Sequence, residues 1–496
     1  MFYSTMLLTA VHLLLRLIGT SFQVYLSGKI GAEGIGLLQL TLSAGTFAMV
    51  AGIAGIRTSA MYLTAEELGR KHPENIPWVL SGCIRYALIT GGTVALLLTA
   101  FAPWIASELI GKETAVHSLR LYAGLLCVNC LCGVMTGYFT GECRIGILAA
   151  VEVAEQLLSM GITVLCLALW AGTDPGRACE SVILGSGAGA CITLLCLTFL
   201  RLRERGTCGP RIPLRRRLTG TAIPLALADI LRSGISTLEN MMVPKRLALA
   251  RGVQNPLASF GILMGMVFPV LMFPACILHA LADLLIPELA RCAAREDTVR
   301  IRHLVSKCLL ISLLYGIFFG GGMFLVAEEL CESLFRESEA GIVLKRYAVL
   351  IPMLYCDALV DAMTKGLGQQ KICVRYNIIT SAMDIAGLYL LLPTYGMDGY
   401  FLSFLVTHLI NFLLSLRCLL LITGLSINWR RGICAVLAGV ACAILCVHVL
   451  TPWVRILVFS ISLYCMLTLF GVLKADDMAW IKGILLPQWR KKTTVP

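Results

Sequence analysis

The sequence predicts an all-α integral membrane protein with about fourteen transmembrane helices, arranged as two pseudo-symmetric six-helix lobes plus two C-terminal helices. The first reason is composition: 58% of the 496 residues are hydrophobic and 14% are charged, whereas soluble proteins have about 25% charged residues. The second is that apolar segments of about 20 residues, the length that crosses a bilayer, recur along the chain. The third is a weak internal repeat. This composition excludes a soluble catalytic domain.

The predicted spans are separated by short breaks that carry glycine, proline and charge. They cover residues 5–27, 35–56, 79–102, 117–141, 146–170, 179–200, 220–243, 257–282, 304–326, 343–366, 374–393, 397–421, 432–451 and 454–473. The first segment does not resemble a cleaved signal peptide, because no basic residue precedes Arg16. We therefore interpret it as the first span.

The distribution of basic residues predicts the orientation. If both termini lie inside, most of the 41 lysines and arginines fall in inner loops, as the positive-inside rule requires. The sequence thus predicts a multi-pass protein of the cell membrane with cytoplasmic N- and C-termini.

The internal repeat predicts the domain organisation. Arg16 in the first span corresponds to Arg232 in the seventh, and Glu155 in the fifth span corresponds to Asp384 in the eleventh. Because six spans separate equivalent residues, both copies have the same orientation, as in some transporters. The predicted parts are an N-lobe (1–200), an arginine-rich cytoplasmic linker (201–218), a C-lobe (219–425), two extra helices (426–473) and a basic cytoplasmic tail (474–496).

Three arginines are candidate binding residues. Arg16 and Arg232 lie in the middle of their spans, where a charge costs about 2.5–3.5 kcal/mol on insertion scales. Guanidinium groups bind phosphate oxygens in a bidentate manner, so one hypothesis is an anion site lined by both. The alternative is that each pairs with an acid or with backbone carbonyls and only fixes helix packing. Arg57, at the inner end of the second span, is either a further contact or a topology signal.

Five acids within spans are candidates for ion or proton coupling, or for structural pairing. Asp357 and Asp361 are four residues apart on the tenth span and therefore share a helix face. Glu239 lies in the outer part of the seventh span, and Glu155 and Asp384 are matched by the repeat.

Other polar residues have simpler interpretations. Asp229 and Asp283 lie near the ends of their spans, which favours a structural role. Cys127 and Cys130 form a C-x-x-C element inside a span, but no second pair at zinc spacing accompanies it. We expect no metal or cofactor, no catalytic residues and no nucleic-acid partner.

Four segments resemble a known family. Residues 235–247 are similar to the seventh span of the stage V sporulation protein B-like branch of the multidrug/oligosaccharidyl-lipid/polysaccharide (MOP) exporter superfamily. Residues 28–40, 280–290 and 365–370 resemble its first interspan loop, the end of its eighth span and its Gln-Gly-Leu-Gly-Gln motif, with Lys365 in place of the usual polar residue. The resemblance runs from about residue 10 to about residue 420.

The resemblance implies a lipid II flippase-like protein with the fold of the MATE transporters. Such a protein moves an undecaprenyl-pyrophosphate-linked saccharide, a precursor of peptidoglycan or polysaccharide, to the outer leaflet by alternating access. Arg16, Arg57 and Arg232 match positions that line the family's cavity, and the two extra helices would form a groove for the lipid tail. The implied context is sporulation or cell-wall synthesis, with membrane lipids and cell-wall synthases as partners and a monomeric chain.

Two other functions remain open at this point. A cation-coupled multidrug exporter would need essential acids, but the first span has none and the seventh has Glu239 only near its outer end. A non-transporting membrane scaffold for spore envelope assembly would tolerate neutral replacements of the central arginines.

Overall fold

The computed structural model describes residues 2–171, 174–203, 214–426, 429–448 and 451–474. Much of the predicted linker at 201–218 and nearly all of the predicted tail at 474–496 lie outside these ranges. Within the described ranges the chain forms helices and turns and contains no strand. The all-α fold predicted from composition is therefore confirmed.

Short 3₁₀ or π turns at Pro73–Asn75, Ile105–Ile110, Leu167–Ala171 and Ile262–Val267 adjoin the α-helices. The α-helices of the described chain are α1 Phe2–Ile53, α2 Ile56–Gly69, α3 Ile76–Trp104, α4 Ala115–Gly141, α5 Ile145–Cys166, α6 Pro175–Arg203, α7 Leu214–Leu247, α8 Pro256–Gly261, α9 Phe268–Met272, α10 Ala275–Ala294, α11 Thr298–Phe335, α12 Ser338–Ala348, α13 Ile351–Gly366, α14 Gln370–Tyr395, α15 Met397–Thr423, α16 Trp429–Cys446 and α17 Pro452–Leu469.

Each of the fourteen predicted spans overlaps one or more helices of the described chain. By length and composition alone, ten helices of the described chain, or eleven if one interrupted pair counts as a single span, could cross a membrane. The difference between fourteen predicted spans and eleven has three sources. The first two predicted spans are two helices that meet at the Gly31 kink and are counted together, and the tenth is divided between α12 and α13. The seventh lies in α7, which is less apolar because it carries charged residues such as Arg232.

Helix breaks differ from those the sequence predicts. Residues 28–34 were expected to form a loop, but the helix continues through them and is interrupted only at Gly31, with φ 68° and ψ 178°. This region of backbone conformation favours glycine because a Cβ would clash there. In the tenth predicted span, α13 starts just after Leu350 with Pro352 in its first turn, where a missing backbone N–H costs no helix hydrogen bond.

The first of two compact units contains the chain up to Phe273 together with Ser381–Phe404. Here α1 packs against α3, α4, α7 and α8, and glycines allow the close approach. A Cβ on Gly36 would lie 2.1 Å from the carbonyl oxygen of Leu257, and one on Gly261 would lie 2.0 Å from that of Ala32. The backbones of α1 and α8 are therefore in direct contact.

The second unit contains Pro274–Thr380 and the chain from Leu405 onward. Helix α11 packs against α12, α13, α16 and α17. The fully buried ring of Phe459 fills the space beside Gly321, where a Cβ would come within 2.3 Å of the ring. The extra helices α16 and α17 are thus part of this unit's core, while the predicted lobe boundaries at residues 200 and 219 remain a prediction.

Replacing Gly36 with alanine should destabilise the protein, because the new methyl group must push α1 away from the backbone of α8. Overpacking of this kind costs about 1–3 kcal/mol. The measurement is thermal unfolding of the full-length protein in detergent. Gly92→Ala is the matched control, since nothing lies within 4 Å of a Cβ at that position in α3. Equal melting temperatures for the two variants would contradict the close packing of α1 and α8.

Candidate substrate-binding site

A cleft of about 640 Å³ lies between α1 and α7 in the first unit. Its lining residues recur every three or four positions on each helix, so one face of α1 looks onto one face of α7. The residues are Gln39, Leu42, Ser43, Thr46, Val50 and Ile53 on α1, and Asp229, Arg232, Ser233, Ser236, Thr237 and Asn240 on α7.

Hydrogen bonds hold one end of this cleft together. The hydroxyl of Thr237 donates to the carbonyl oxygen of Ser43 at 3.3 Å, and the Asn240 amide donates to the Ser43 hydroxyl at 3.2 Å. These bonds fix the register of the two helices at the level of Ser43.

A glycine turn holds the other end. Gly55, with φ 70°, follows α1, and a Cβ there would lie 2.7 Å from the carbonyl oxygen of Ala222 on α7. Midway, Phe47 packs against Gly234. The two helices therefore run antiparallel along the cleft, which brings Asp229 and Arg232 level with the apolar side chains of Val50 and Ile53.

Arg232 is an exposed guanidinium in this cleft, and no ion pair to it is found within the described part of the chain. Asp229 lies one helical turn earlier, is also exposed, and forms no ion pair with a described residue. An arginine that only fixed helix packing would be paired with an acid or with carbonyls. The cleft therefore offers a cation and an anion that water or a ligand can reach.

Asp229 is the cleft residue that the sequence interpretation missed. Its position near the start of a span favoured a structural role, but the structure places it beside Arg232. The sequence feature that points to Asp229 is the spacing of polar residues on α7. Asp229, Arg232, Ser236 and Asn240 lie three or four residues apart and form a polar stripe on one face of the helix.

The other two predicted arginines lie elsewhere in the first unit. Arg57 is exposed four residues beyond Ile53, and its backbone carbonyl packs closely against Gly137 of α4. Arg16 is exposed on the part of α1 that precedes Gly31. Neither lines the cleft, and neither forms an ion pair with the residues that the structure describes. A shared site of all three arginines remains a prediction.

The acids matched by the repeat have equivalent partners. Glu155 on α5 accepts a hydrogen bond from the Thr193 hydroxyl of α6 at 2.7 Å. Asp384 on α14 is 5% exposed and accepts one from the Ser403 hydroxyl of α15 at 2.6 Å. In both cases an acid is bound by a hydroxyl of the next long helix, as expected if the two segments are copies of one ancestral hairpin.

Asp384 also lies next to a second acid. The side chain of Glu239 on α7 adjoins the Asp384 carboxyl. Two acids from helices that are far apart in the sequence therefore meet in the first unit.

The acids on α13 differ from each other. Asp361 forms an ion pair with Lys365 at 2.5 Å. Asp357 accepts a hydrogen bond from the Asn411 amide at 3.2 Å through Oδ2, whereas its Oδ1 is buried and has no hydrogen-bond partner among the described residues. On the helix face that the two acids are predicted to share, Asp361 is thus neutralised by Lys365, whereas Asp357 has one carboxyl oxygen without a partner among the described residues. No group of three or more potential metal ligands occurs in the described chain.

Comparisons with known proteins agree with this architecture. Residues 3–236 match the family model described as polysaccharide biosynthesis protein. The chain is 22% identical over 419 residues to stage V sporulation protein B of Bacillus subtilis (strain 168), covering 80% of this chain and 79% of that protein. The resemblance read from the sequence is confirmed.

Solved structures identify the fold. The chain superposes on the lipid II flippase MurJ in an inward closed conformation with a TM-score of 0.70 at 12% identity, over 94% of this chain and 98% of that one. An inward-facing MATE multidrug resistance transporter of the MOP superfamily gives a TM-score of 0.68 at 14% identity, over 83% and 96%. The chain therefore has the fold of these MATE and MurJ structures and is a multi-pass membrane protein. The neighbours whose names state an activity are transporters or flippases, not enzymes.

Replacing Ser403 with alanine should lower stability, because the buried Asp384 carboxyl loses a short hydrogen bond. Loss of a hydrogen bond to a charged or buried polar group costs about 1–3 kcal/mol. Thermal unfolding in detergent measures the effect. The control is Ser462→Ala, whose hydroxyl donates, among the residues that the structure describes, to the Phe459 carbonyl of its own helix. An equally small change in both variants would show that the Asp384 contact contributes nothing to stability.

Proposed function

We propose that this protein is a flippase that moves an undecaprenyl-pyrophosphate-linked saccharide, a peptidoglycan or polysaccharide precursor, to the outer leaflet by alternating access. The observation that supports this most directly is the Arg232 guanidinium, which lies without an ion-pair partner among the described residues in a cleft of about 640 Å³. The similarity to a sporulation protein and to the fold of a lipid II flippase supports the same conclusion.

The chemistry of the cleft suits the polar part of such a substrate. The planar guanidinium of Arg232 presents paired N–H donors that match two phosphate oxygens. It faces the apolar side chains of Val50 and Ile53, and an ionic contact is stronger beside apolar walls than in bulk water. A pyrophosphate is therefore a good counter-ion for this position.

The remaining polar groups suit a saccharide. Hydroxyl and amide side chains on both helices can donate to and accept from sugar hydroxyls. Asp229, as an acceptor, would bind a sugar hydroxyl beside the phosphate that Arg232 holds. The cleft then recognises a phosphate and a sugar together, which a purely cationic pocket would not.

Arg16 and Arg57 are proposed to assist Arg232. Each is an exposed cation within or beside an apolar segment and has no ion pair with the described residues. Charges so placed are costly unless water or a ligand compensates them. We assign them contacts to the same pyrophosphate as it enters or leaves the cleft.

Proton coupling is proposed to use the Glu239–Asp384 pair. The side chains of Glu239 and Asp384 adjoin each other, and acids within a membrane bundle are candidates for proton uptake and release. Glu239 lies on α7, the helix that carries Arg232, so gain or loss of a proton there would change the charge on the proposed substrate-binding helix. Asp357, with its incompletely bonded carboxyl, is a second candidate, whereas Asp361 and Glu155 have partners that favour structural roles.

The proposed cellular setting is the plasma membrane of a spore-forming bacterium. Both termini would lie in the cytoplasm, and the substrate would serve the synthesis of the spore wall. The protein would act as a monomer beside cell-wall synthases. These proposals rest on the distribution of basic residues and on the relatives, not on the geometry of the cleft.

Arg232→Gln should slow translocation about 10–100-fold, because a charge-assisted contact contributes about 1.5–3 kcal/mol. The assay follows a labelled undecaprenyl-pyrophosphate-linked saccharide across vesicles containing the full-length protein at matched levels. Arg251→Gln is the control, since Arg251 is exposed in the α7–α8 loop and does not line the cleft.

Three outcomes would count against the proposal. Normal translocation by Arg232→Gln would exclude the anion contact. Efflux of cationic drugs that survives Arg232→Gln but is lost in Glu239→Gln would favour a multidrug exporter. An active spore-forming phenotype without any translocation by the wild-type protein would favour a scaffold.

Glu239→Gln should abolish the response of translocation to an imposed proton gradient, because an amide cannot take up or release a proton. The same vesicles are assayed with and without the gradient. Glu155→Gln is the matched control, since its acid is bound by a hydroxyl rather than by a second carboxyl. If both variants keep the gradient response of the wild type, the Glu239–Asp384 pair is not the coupling site.

A further inference from the structure

A second cavity lies in the second unit, at the end of α15 that is predicted to face the cytoplasm. It has a volume of about 580 Å³, within the roughly 300–1,000 Å³ of small-molecule sites. Leu413, Leu420 and Leu421 line it on one face of the helix together with Arg417, and Trp429 at the start of α16 lines its end. The lining is thus an apolar groove with one cation.

A second guanidinium is fixed at the end of this groove. Arg302 of α11 donates through Nε to the carbonyl oxygen of Thr423, the last residue of α15, at 2.9 Å. Its terminal nitrogen lies beside Gly424, a lining residue, at 3.0 Å from the position of a Cβ. This hydrogen bond orients the guanidinium and leaves its terminal nitrogens for another acceptor.

The position of Arg417 differs from that of arginines that only set the orientation of a membrane protein. Such arginines belong to loops, whereas Arg417 lies within the predicted twelfth span, on the same face as exposed leucines. It is exposed and forms no ion pair with the described residues. A cation on an apolar helix surface near the head-group level is stabilised when it reaches a phosphate.

We propose that this groove binds one anionic phospholipid of the phosphatidylglycerol type from the leaflet predicted to be cytoplasmic. The lipid phosphate contacts the guanidiniums of Arg302 and Arg417, and an acyl chain lies along the leucines. The indole of Trp429 sits at the head-group level, where tryptophan is enriched in membrane proteins. This site is separate from the cleft between α1 and α7 and does not depend on the proposed flippase activity.

The charge balance favours an anionic lipid over a zwitterionic one. No carboxylate lines the groove within the described chain, so nothing there complements the ammonium group of phosphatidylethanolamine. Basic pockets between helices on the cytoplasmic side are a recognised type of anionic-lipid site. A soluble phosphate ester would use the guanidiniums but would leave the apolar groove empty.

Native mass spectrometry of the full-length protein tests whether the groove binds an anionic phospholipid. The protein is mixed with phosphatidylglycerol or with phosphatidylethanolamine of identical acyl chains. We expect preferential retention of phosphatidylglycerol, a loss of about tenfold in Arg417→Gln and in Arg302→Gln, and no competition from soluble glycerol phosphate. Arg295→Gln is the matched control, because Arg295 is an exposed arginine on the same predicted side and does not line the groove.

Leu421→Gln tests the apolar part of the groove independently. This side chain is 72% exposed, so its replacement should leave folding intact while reducing lipid retention. Equal retention of both lipids by the wild type, or equal retention of phosphatidylglycerol by Arg417→Gln, Arg302→Gln and Arg295→Gln, would overturn the proposal. Competition by glycerol phosphate would also overturn it, since the acyl chain would then contribute nothing.

Discussion

An ionisable side chain within a membrane-spanning helix is costly unless a hydrogen bond, an opposite charge or water compensates it. The acids of this protein largely meet that requirement inside the bundle. Asp384 is bonded to Ser403, Glu155 to Thr193, and Asp361 to Lys365. Each bond ties the acid to its neighbour helix or to the next turn. The central arginines meet it differently: Arg16 and Arg232 are exposed and have no ion pair with the described residues. These three acids thus stabilise contacts between helices or between helix turns. The guanidiniums of Arg16 and Arg232 remain accessible to water or to a ligand.

Close helix packing makes that division possible. At Gly36 and Gly261 the backbones of α1 and α8 touch, and at Gly55 the chain after α1 touches α7. Helices held by their backbones do not need polar side chains at those contacts. The polar stripe of α7 is therefore free to line a cleft instead of bonding to α1, except at Ser43, where two hydrogen bonds set the register. Gly55 thus lets the chain after α1 lie against α7, and the polar stripe supplies the polar groups that line the cleft on α7.

The all-α membrane fold could be predicted because span length and apolar composition are local properties of the sequence, whereas the number of fourteen spans remains a prediction beside the ten or eleven candidate spans of the described chain. Breaks were harder to predict: Gly31 interrupts α1 for a single residue, and whether a glycine adopts a positive φ depends on tertiary context. Arg232 could be predicted from its cost in the bilayer. The spacing on α7 places Asp229 on the same helix face as Arg232, but the sequence does not show which face of α7 looks onto α1. Nor did the sequence reveal that Glu239 and Asp384, far apart in the chain, lie next to each other.

The arrangement of polar groups along the cleft bears on which kind of ligand fits. A lipophilic cation would be best held by an acid facing apolar walls. Here Asp229 does face apolar side chains, but Arg232 lies one turn away on the same face and offsets its negative charge. Farther along, hydroxyls and amides on both helices replace the apolar wall. The proposed ligand, with an anionic group at one end and several hydroxyls beyond it, can contact both the Arg232 guanidinium and these polar side chains. A glycosyl pyrophosphate has that order of groups, and a hydrophobic cation does not.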